Sequence, residues 1–238
     1  MVILKFILKV LKRVGFISSN NFIRLLKMYG IQIGENNYIN PDAIIDITRP
    51  SLVTIGSNCY FNKGFVLLTH DYVSGVMCHV YGEFINSSGR VTIGNNVGTG
   101  YNVTILKNVT IGDNCFIAAN SLVNRSMPSN VIIGGSPARV LCKLEDYYIK
   151  RKYASVEEAQ EYACSIMERF NRLPKLQDFW EEFPLFIDSK NMSNFEKNMI
   201  VKQLGGNYPK WLECHERIFD GIDDFLDSVF KDKSMTHD

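Results

Sequence analysis

From Val91 to Val123 the chain repeats with a period of six. One ladder of mostly bulky residues runs Ile93, Thr99, Ile105, Ile111, Ile117, Val123, and a second, offset by four, runs Val97, Val103, Val109, Cys115, Ser121. Between them stands a third ladder, Asn96, Asn102, Asn108, Asn114, Asn120. Six is a poor period for a helix, and a hairpin meander places its turns less regularly. It suits a solenoid whose coils have three short faces and three corners. The first ladder then points inward, the second fills the end of each strand, and asparagine takes the corner. Asparagine tolerates the left-handed backbone region better than any residue except glycine. Ile93-Gly94 and Ile111-Gly112 lie 18 residues apart, one coil of three hexapeptides.

The pattern starts earlier, at Ile33-Gly34 with Asn36 at the corner, and resumes at Ile55-Gly56 with Asn58. Ile55, Phe61 and Leu67 continue the inward ladder, and Gly64 takes a corner. Ile33 to Ile55 spans 22 residues, one coil plus four, with the surplus in Thr48–Leu52. Ile55 to Ile93 spans 38, one coil plus 20, so Asp71–Arg90 must leave the solenoid as a loop. Long excursions from a regular scaffold are functional or disordered. Tyr72, Met77, Tyr81 and Phe84 make this one too aromatic for disorder, and it is expected to fold over something. Ile111 to Ile133 is again 22, which puts a small insertion at Arg125–Ser129. Pro137 cannot donate to a ladder and ends the repeat.

After Leu144 the period becomes helical. Ser155 and Glu158 form a capping box ahead of Val156, Ala159, Tyr162, Ala163, Ile166 and Phe170. Pro174 stops that helix. Ser193 and Glu196 repeat the box, Gly205-Gly206 closes the segment, and Pro209 to Phe230 reads as a last amphipathic helix. Residues 231–238 are expected to fray. Three regions follow: a helical segment at 1–29, the solenoid at 30–144 with its loop at 71–90, and a helical region at 145–238. The aromatics of that last region, Trp180, Phe183, Phe186 and Trp211, read as core.

Net charge is +1 over 238 residues, so bulk electrostatics argue neither for nucleic acid nor for an acidic partner, and no nucleic acid is expected. The six cysteines show no C-x-x-C pair and no disulfide framework, so a reducing cytoplasm is the expected compartment. Cys59 and Cys115 fall where a small buried residue is wanted. Residues 2–17 are apolar but cut by Lys5, Lys9, Lys12 and Arg13, too interrupted for a membrane span or a signal peptide. They read as a helix that caps the open solenoid, or as one whose basic face lies on anionic lipid at the inner face of the membrane. The cap is preferred, and both can hold together.

Val91–Asn130 and Gly134–Arg139 resemble the hexapeptide-repeat acyltransferases, which fold as left-handed parallel β-helices. Handedness comes from the resemblance alone, since the general rule for parallel crossovers is right-handed. Similar proteins are the maltose and galactoside O-acetyltransferases, the xenobiotic acetyltransferases and, closer, acetyltransferases of bacterial capsule and surface-polysaccharide synthesis. Some of the last share a Thr-His-Asp-Tyr segment, a loop with Tyr-Gly-Glu and a helical tail. The fold expected is thus mainly β, a left-handed parallel β-helix with an N-terminal helix, an extended loop and a C-terminal α-helical region.

Moving an acyl group from a thioester to a hydroxyl or amine needs a base and donors for the developing oxyanion. Of four histidines, only His70 sits on a coil, at the mouth of the loop. A neutral imidazole there suits a base near pH 7, although a histidine can also merely cap a strand end. The match at Thr69-His70-Asp71-Tyr72 favours the catalytic role and sets Asp71 beside the acceptor. His79, within the loop, is a lesser candidate for substrate contact; His215 and His237 read as solvated. The resemblance implies acetyl-coenzyme A as cosubstrate, a homotrimer with active sites between subunits, and backbone amides at Gly100-Tyr101 on the thioester carbonyl. It sets Ala119 and Ser121 along the pantetheine groove and Arg125 and Arg139 near the phosphates, where guanidinium suits the chemistry. Asn62, on the coil that leads to His70, is a candidate to orient substrate, and Asp42 loosely resembles an acceptor-contacting asparagine of the sugar acetyltransferases; both also read as corner or surface residues. One departure stands out: relatives usually carry an aromatic and then isoleucine where this chain has Gly98-Thr99. That opens the wall near the thiol end of the cofactor, for a bulkier acyl group or acceptor, or at a cost in activity.

The expected function is acetyl transfer to a hydroxyl, or an amine, of a sugar in a surface polysaccharide or its precursor. Two alternatives are an N-acetyltransferase for a nucleotide-linked amino sugar and a non-catalytic trimeric scaffold. A metal enzyme of carbonic anhydrase type needs about three histidine ligands on the solenoid, so no metal is expected.

Overall fold

The computed structural model describes residues 18–231. The helix expected at 2–17, and all but the first residue of the frayed end, lie outside the described residues. The chain divides into two compact units, one closing at Tyr148 and the other opening at Ile149.

The first unit is a solenoid of parallel strands on three faces. The first face stacks β1 (Gln32–Ile33), β4 (Val53–Ile55), β7 (Val91–Ile93) and β10 (Val109–Ile111). The third stacks β3 (Ile44–Ile45), β6 (Val66–Leu67), β9 (Thr104–Ile105) and β12 (Leu122–Val123). The second runs through β2 (Tyr38–Ile39), β5 (Tyr60–Phe61), β8 (Val97–Thr99), β11 (Cys115–Ile117) and β13 (Val131–Gly135). Register follows the hexad: Ile33 lies beside Ile55, Ile55 beside Ile93, and Ile93 beside Ile111.

Both apolar ladders are buried throughout. The corner asparagines, from Asn36 to Asn130, all hold φ between 54° and 63°. Their side chains stack as well: Asn96 donates to Asn114 and Asn114 to Asn130, each at 2.8 Å. One residue type thus supplies the left-handed turn and a hydrogen-bond ladder along the corner. The core is one residue wide on each face, so a deletion there has little to collapse onto. Ile117→Ala is expected to lower the unfolding free energy by about 2–5 kcal/mol, read from the midpoint of a urea transition.

Helix α1 (Ser19–Met28) closes the open end, burying Phe22, Ile23 and Leu26. Ser19 ties it to the first coil by accepting from the Ile39 amide at 2.8 Å. The surplus near residue 50 is a tight 3-10 turn, Pro50–Leu52. The Asp71–Arg90 excursion contains helix α2 (Val73–Tyr81), ended by Gly82 at φ 73°.

The other end differs from expectation. Ile133 does not return to the face of Ile111; it pairs with Ile117 on the second face. Met127 takes the place beside Ile111, through a single bridge, and is buried. An irregular corner stands in for a strand there, so counting residues from Ile111 misplaces Ile133. The repeat ends in a hairpin, with β14 (Ala138–Lys143) antiparallel to β13.

Helix α3 (Leu144–Phe170) begins eleven residues before Ser155. Ser155 is mid-helix, its hydroxyl donating to the Lys152 carbonyl, while Glu158 pairs with Arg151 at 2.6 Å. Glu145 and Asp146 in the first turn favour the earlier start. In the second unit Ser193 and Glu196 do form a capping box, opening α4 (Asn194–Leu204). The last helix expected is two, α5 (Tyr208–Cys214) and α6 (Ile222–Phe230), with Gly221 at φ 98° just before the second. Ala159, Ala163, Phe179, Phe183, Phe186, Ile200 and Phe225 form this unit's core, and Trp211 packs on Phe183. Trp180, by contrast, is exposed. His215 is half-buried and stacked on Trp211 rather than solvated. No described helix is long and apolar enough to cross a membrane.

Candidate active site

All of the residues singled out except His79 and Arg139 fall on two corners of the solenoid. Strands of the second face lead into one corner, at Asn40–Ala43, Asn62–Phe65, Gly100–Val103 and Ala118–Ser121. Strands of the third face lead into the other, at Leu68–Asp71, Leu106–Asn108 and Asn124–Arg125. Asp42, Asn62, Gly100, Tyr101, Ala119 and Ser121 therefore share one edge, and His70, Asp71 and Arg125 share the other. His79 lies exposed on α2, and Arg139 lies exposed on β14. Corner to corner within a coil, as from Asn102 to Asn108, is six residues, at most about 20 Å of extended chain.

At the His70 edge the structure adds a residue that the sequence reading missed. Asp46, 8% exposed, lies one coil earlier. Its Oδ1 accepts from the Thr48 amide at 2.9 Å and hydroxyl at 2.6 Å. Its Oδ2 accepts from the buried Thr69 hydroxyl and lies 2.6 Å from His70 Nδ1. Burial alone would raise the Asp46 carboxyl. The hydrogen bonds from Thr48, Thr69 and His70 outweigh it and hold the group well below the usual carboxylate range. An ionised carboxylate only accepts, so Nδ1 must carry the proton, and neutral His70 keeps its lone pair on Nε2. The His70 side chain is 25% exposed: scaffold holds one nitrogen, and solvent reaches the ring. A signal was present in Ile44-Ile45-Asp46-Ile47, an acid among isoleucines at a position where later coils carry Leu68 and Leu106.

The base of the loop is clamped beside it. Asp71 N–H donates to the Ser87 carbonyl, Gly89 N–H to the Thr69 carbonyl, and His70 bridges Ser88. Lys107, from the next coil, pairs with Asp71 at 2.5 Å and also reaches the Ser87 hydroxyl. Asp71 is thus engaged in holding the loop, with a carboxyl lowered first by Lys107.

At the other edge, the Gly100 amide donates to the Ile117 carbonyl at 2.8 Å and has no proton left for a thioester. Glycine is needed there because a Cβ would come 2.5 Å from the Ala119 nitrogen. Neither Tyr101 N–H nor Ala119 N–H, one coil apart, has a protein partner among the described residues. Two stacked free donors therefore line this corner. Asn62 spends its amide on the Thr99 carbonyl at 3.1 Å, and its backbone N–H donates to the buried Thr99 hydroxyl. Ser121 is buried, its hydroxyl turned inward to the Ala118 carbonyl at 2.6 Å, so only its backbone can serve a ligand. Arg125 is exposed, and Arg139 donates to the Ala138 carbonyl. Cys59 and Cys115 are buried, and burial raises both thiols. No cluster of metal-ligating side chains occurs among the described residues.

A family model described as bacterial transferase hexapeptide (six repeats) matches residues 90–125. Protein CapG of Staphylococcus aureus is 37% identical over 147 residues, covering 61% of this chain and 81% of CapG. Galactoside O-acetyltransferase of Escherichia coli K12 is 36% identical over 129 residues, covering 50% of this chain and 59% of that protein. A solved hexapeptide-repeat acetyltransferase from Vibrio cholerae, complexed with acetyl-coenzyme A, aligns at 30% identity with a TM-score of 0.42. That alignment covers 48% of this chain and 60% of the other.

Proposed function

Because the chain belongs to the hexapeptide-repeat transferases, we propose that it moves an acetyl group from acetyl-coenzyme A to a sugar hydroxyl. The sugar belongs to a bacterial surface polysaccharide or its precursor. The Asp46–His70 pair is the observation that carries this reading: a scaffolded imidazole with its second nitrogen bare and reachable. In the proposed step, His70 Nε2 takes the proton of the acceptor hydroxyl as that oxygen attacks the thioester carbonyl carbon. The oxyanion develops against the Tyr101 amide, the carbon–sulfur bond breaks, and the leaving thiolate recovers the proton from His70. Ala119 and the backbone at Ser121 line the pantetheine arm, with Arg125 and Arg139 toward the phosphates. The acetyltransferases named among the relatives support the donor, and a curated relative named for lipopolysaccharide O-acetyl transfer supports the acceptor class.

Base and amide donors stand on opposite edges of one six-residue face, at most about 20 Å wide, whereas reacting atoms must come within about 3.5 Å. On this reading a second copy brings its His70 edge to the first copy's Tyr101 edge, and a closed ring of three completes three sites. Left-handed winding, residues 30–144 as the catalytic solenoid and 145–238 as a separate helical region belong to the same proposal, as does action in the cytoplasm. The test is incubation with acetyl-coenzyme A and a glycan panel, with products read by mass spectrometry. An acetyl ester on at least one glycan, absent without protein, is expected. Binding of acetyl-coenzyme A with acetylation of amines only would reassign the acceptor, and no binding would overturn the reading.

A further inference from the structure

The outward residues of the first and second faces differ in kind. The first presents Gln32, Thr54, Thr92 and Thr110, as a solvated sheet does. The second presents, in strand register, Tyr38, Tyr60, Gly98 and Phe116. Tyr38 and Tyr60 stack with ring centroids 4.5 Å apart and planes 16° from parallel. Tyr60 is 50% exposed, Phe116 41%, and Tyr101, at the corner beside them, 58%. Burial and then the neighbouring Tyr38 and Tyr101 phenols push the Tyr60 hydroxyl up, which fits three phenols gathered at one spot. At Gly98 a Cβ would stand 3.3 Å from Phe116 Cδ2, so the ring leans over a strand that has no side chain there to push it away.

The result is a strip of exposed ring faces edged by phenolic hydroxyls, with no charged side chain in the four register positions. An anion finds no cation in that strip. A peptide strand finds no free edge at Tyr60, Gly98 or Phe116, whose strands are each paired on both sides; at the outermost strand, β2, Ser19 of α1 accepts from the Ile39 amide. A pyranose has the matching chemistry: an apolar C–H face for the negative face of an aromatic ring, and a rim of hydroxyls for the phenols. The strip is also continuous with the candidate site, since β5 runs directly into Asn62 and β8 into Gly100-Tyr101.

We infer that Tyr38, Tyr60, Tyr101 and Phe116 form a platform on which a pyranose ring of the acceptor stacks, with Gly98 leaving Phe116 room to lie over the strand. The inference rests on the proposed sugar acetylation and specifies which surface holds the sugar. Its test is saturation-transfer NMR on the full chain with a set of methyl pyranosides, with acetyl-coenzyme A binding and oligomeric mass measured alongside. Transfer to ring C–H protons is expected in the wild type. In Tyr60→Ala and Phe116→Ala glycoside affinity should fall roughly tenfold, while Thr92→Ala on the first face, acetyl-coenzyme A binding and mass stay unchanged. Absence of transfer in the wild type, or equal transfer in both platform variants, overturns the inference. A change of mass that accompanies the loss also overturns it and assigns the strip to self-association. Failure of the wild type to bind acetyl-coenzyme A would instead count against the acetyltransferase reading, leaving the glycoside result to judge the platform.

Discussion

His70→Ala is expected to lower kcat for acetyl transfer about a thousandfold while leaving the KM for acetyl-coenzyme A within about twofold. The acceptor hydroxyl is too weak an acid to ionise near neutral pH, so the base must remove its proton as the carbon–oxygen bond forms. His70 is the one histidine on the solenoid with a nitrogen held by the scaffold and the ring reachable from solvent. In the proposed step its removal takes away a transition-state interaction and none of the proposed cofactor contacts, which lie on the other edge or on exposed arginines. The solenoid should tolerate the change, because the ring is not part of the inward ladder. A variant that loses cofactor affinity and rate together would place His70 in binding rather than in proton transfer.

Asp46→Asn should cost kcat about a hundredfold or more, with the fold retained. The carboxylate accepts from His70 Nδ1 at 2.6 Å and thereby keeps the lone pair on Nε2. An asparagine amide turned toward the ring donates instead, which favours the proton on Nε2 and leaves no base facing the acceptor. Nitrogen-15 chemical shifts of the His70 ring distinguish the two tautomers, a readout that a merely loosened corner would not move. Asp46 also links the site to stability. Its folded carboxyl lies below the ordinary value of 3.8. Its contribution is therefore complete above that value and is lost as the pH falls through the lower folded one. Acid-induced unfolding in that window should be blunted in Asp46→Asn, whereas the neutral-pH activity loss should not depend on it.

Most of the solenoid was readable because its geometry reduces to a count. A three-sided coil needs an inward residue, a strand-end filler and a left-handed corner every six positions, and each demand selects a residue type. Reading became unsafe where counting ceased to mean position. Met127 takes the first face's place in the last coil without forming a strand, so Ile133 landed on the neighbouring face. Ser155 and Glu158 have the spacing of a cap but sit inside a helix whose earlier turns were already favourable. At the site, His70 was legible through scarcity and its place at the loop mouth. Asp46 was not, because its role is fixed by a neighbour 24 residues away across coils. Backbone donors are silent in sequence by nature. Only the ladder bonds reveal that Gly100 N–H is spent and that Tyr101 N–H has no partner among the described residues.

As proposed, this chain transfers acetyl groups with His70 as the base. Its most direct test is thiol release from acetyl-coenzyme A, with and without glycan acceptors, in wild type and His70→Ala at equal cofactor saturation. Acceptor-dependent release is expected in the wild type, and its loss in the variant. Acceptor-dependent release that survives in His70→Ala at the wild-type rate would contradict it.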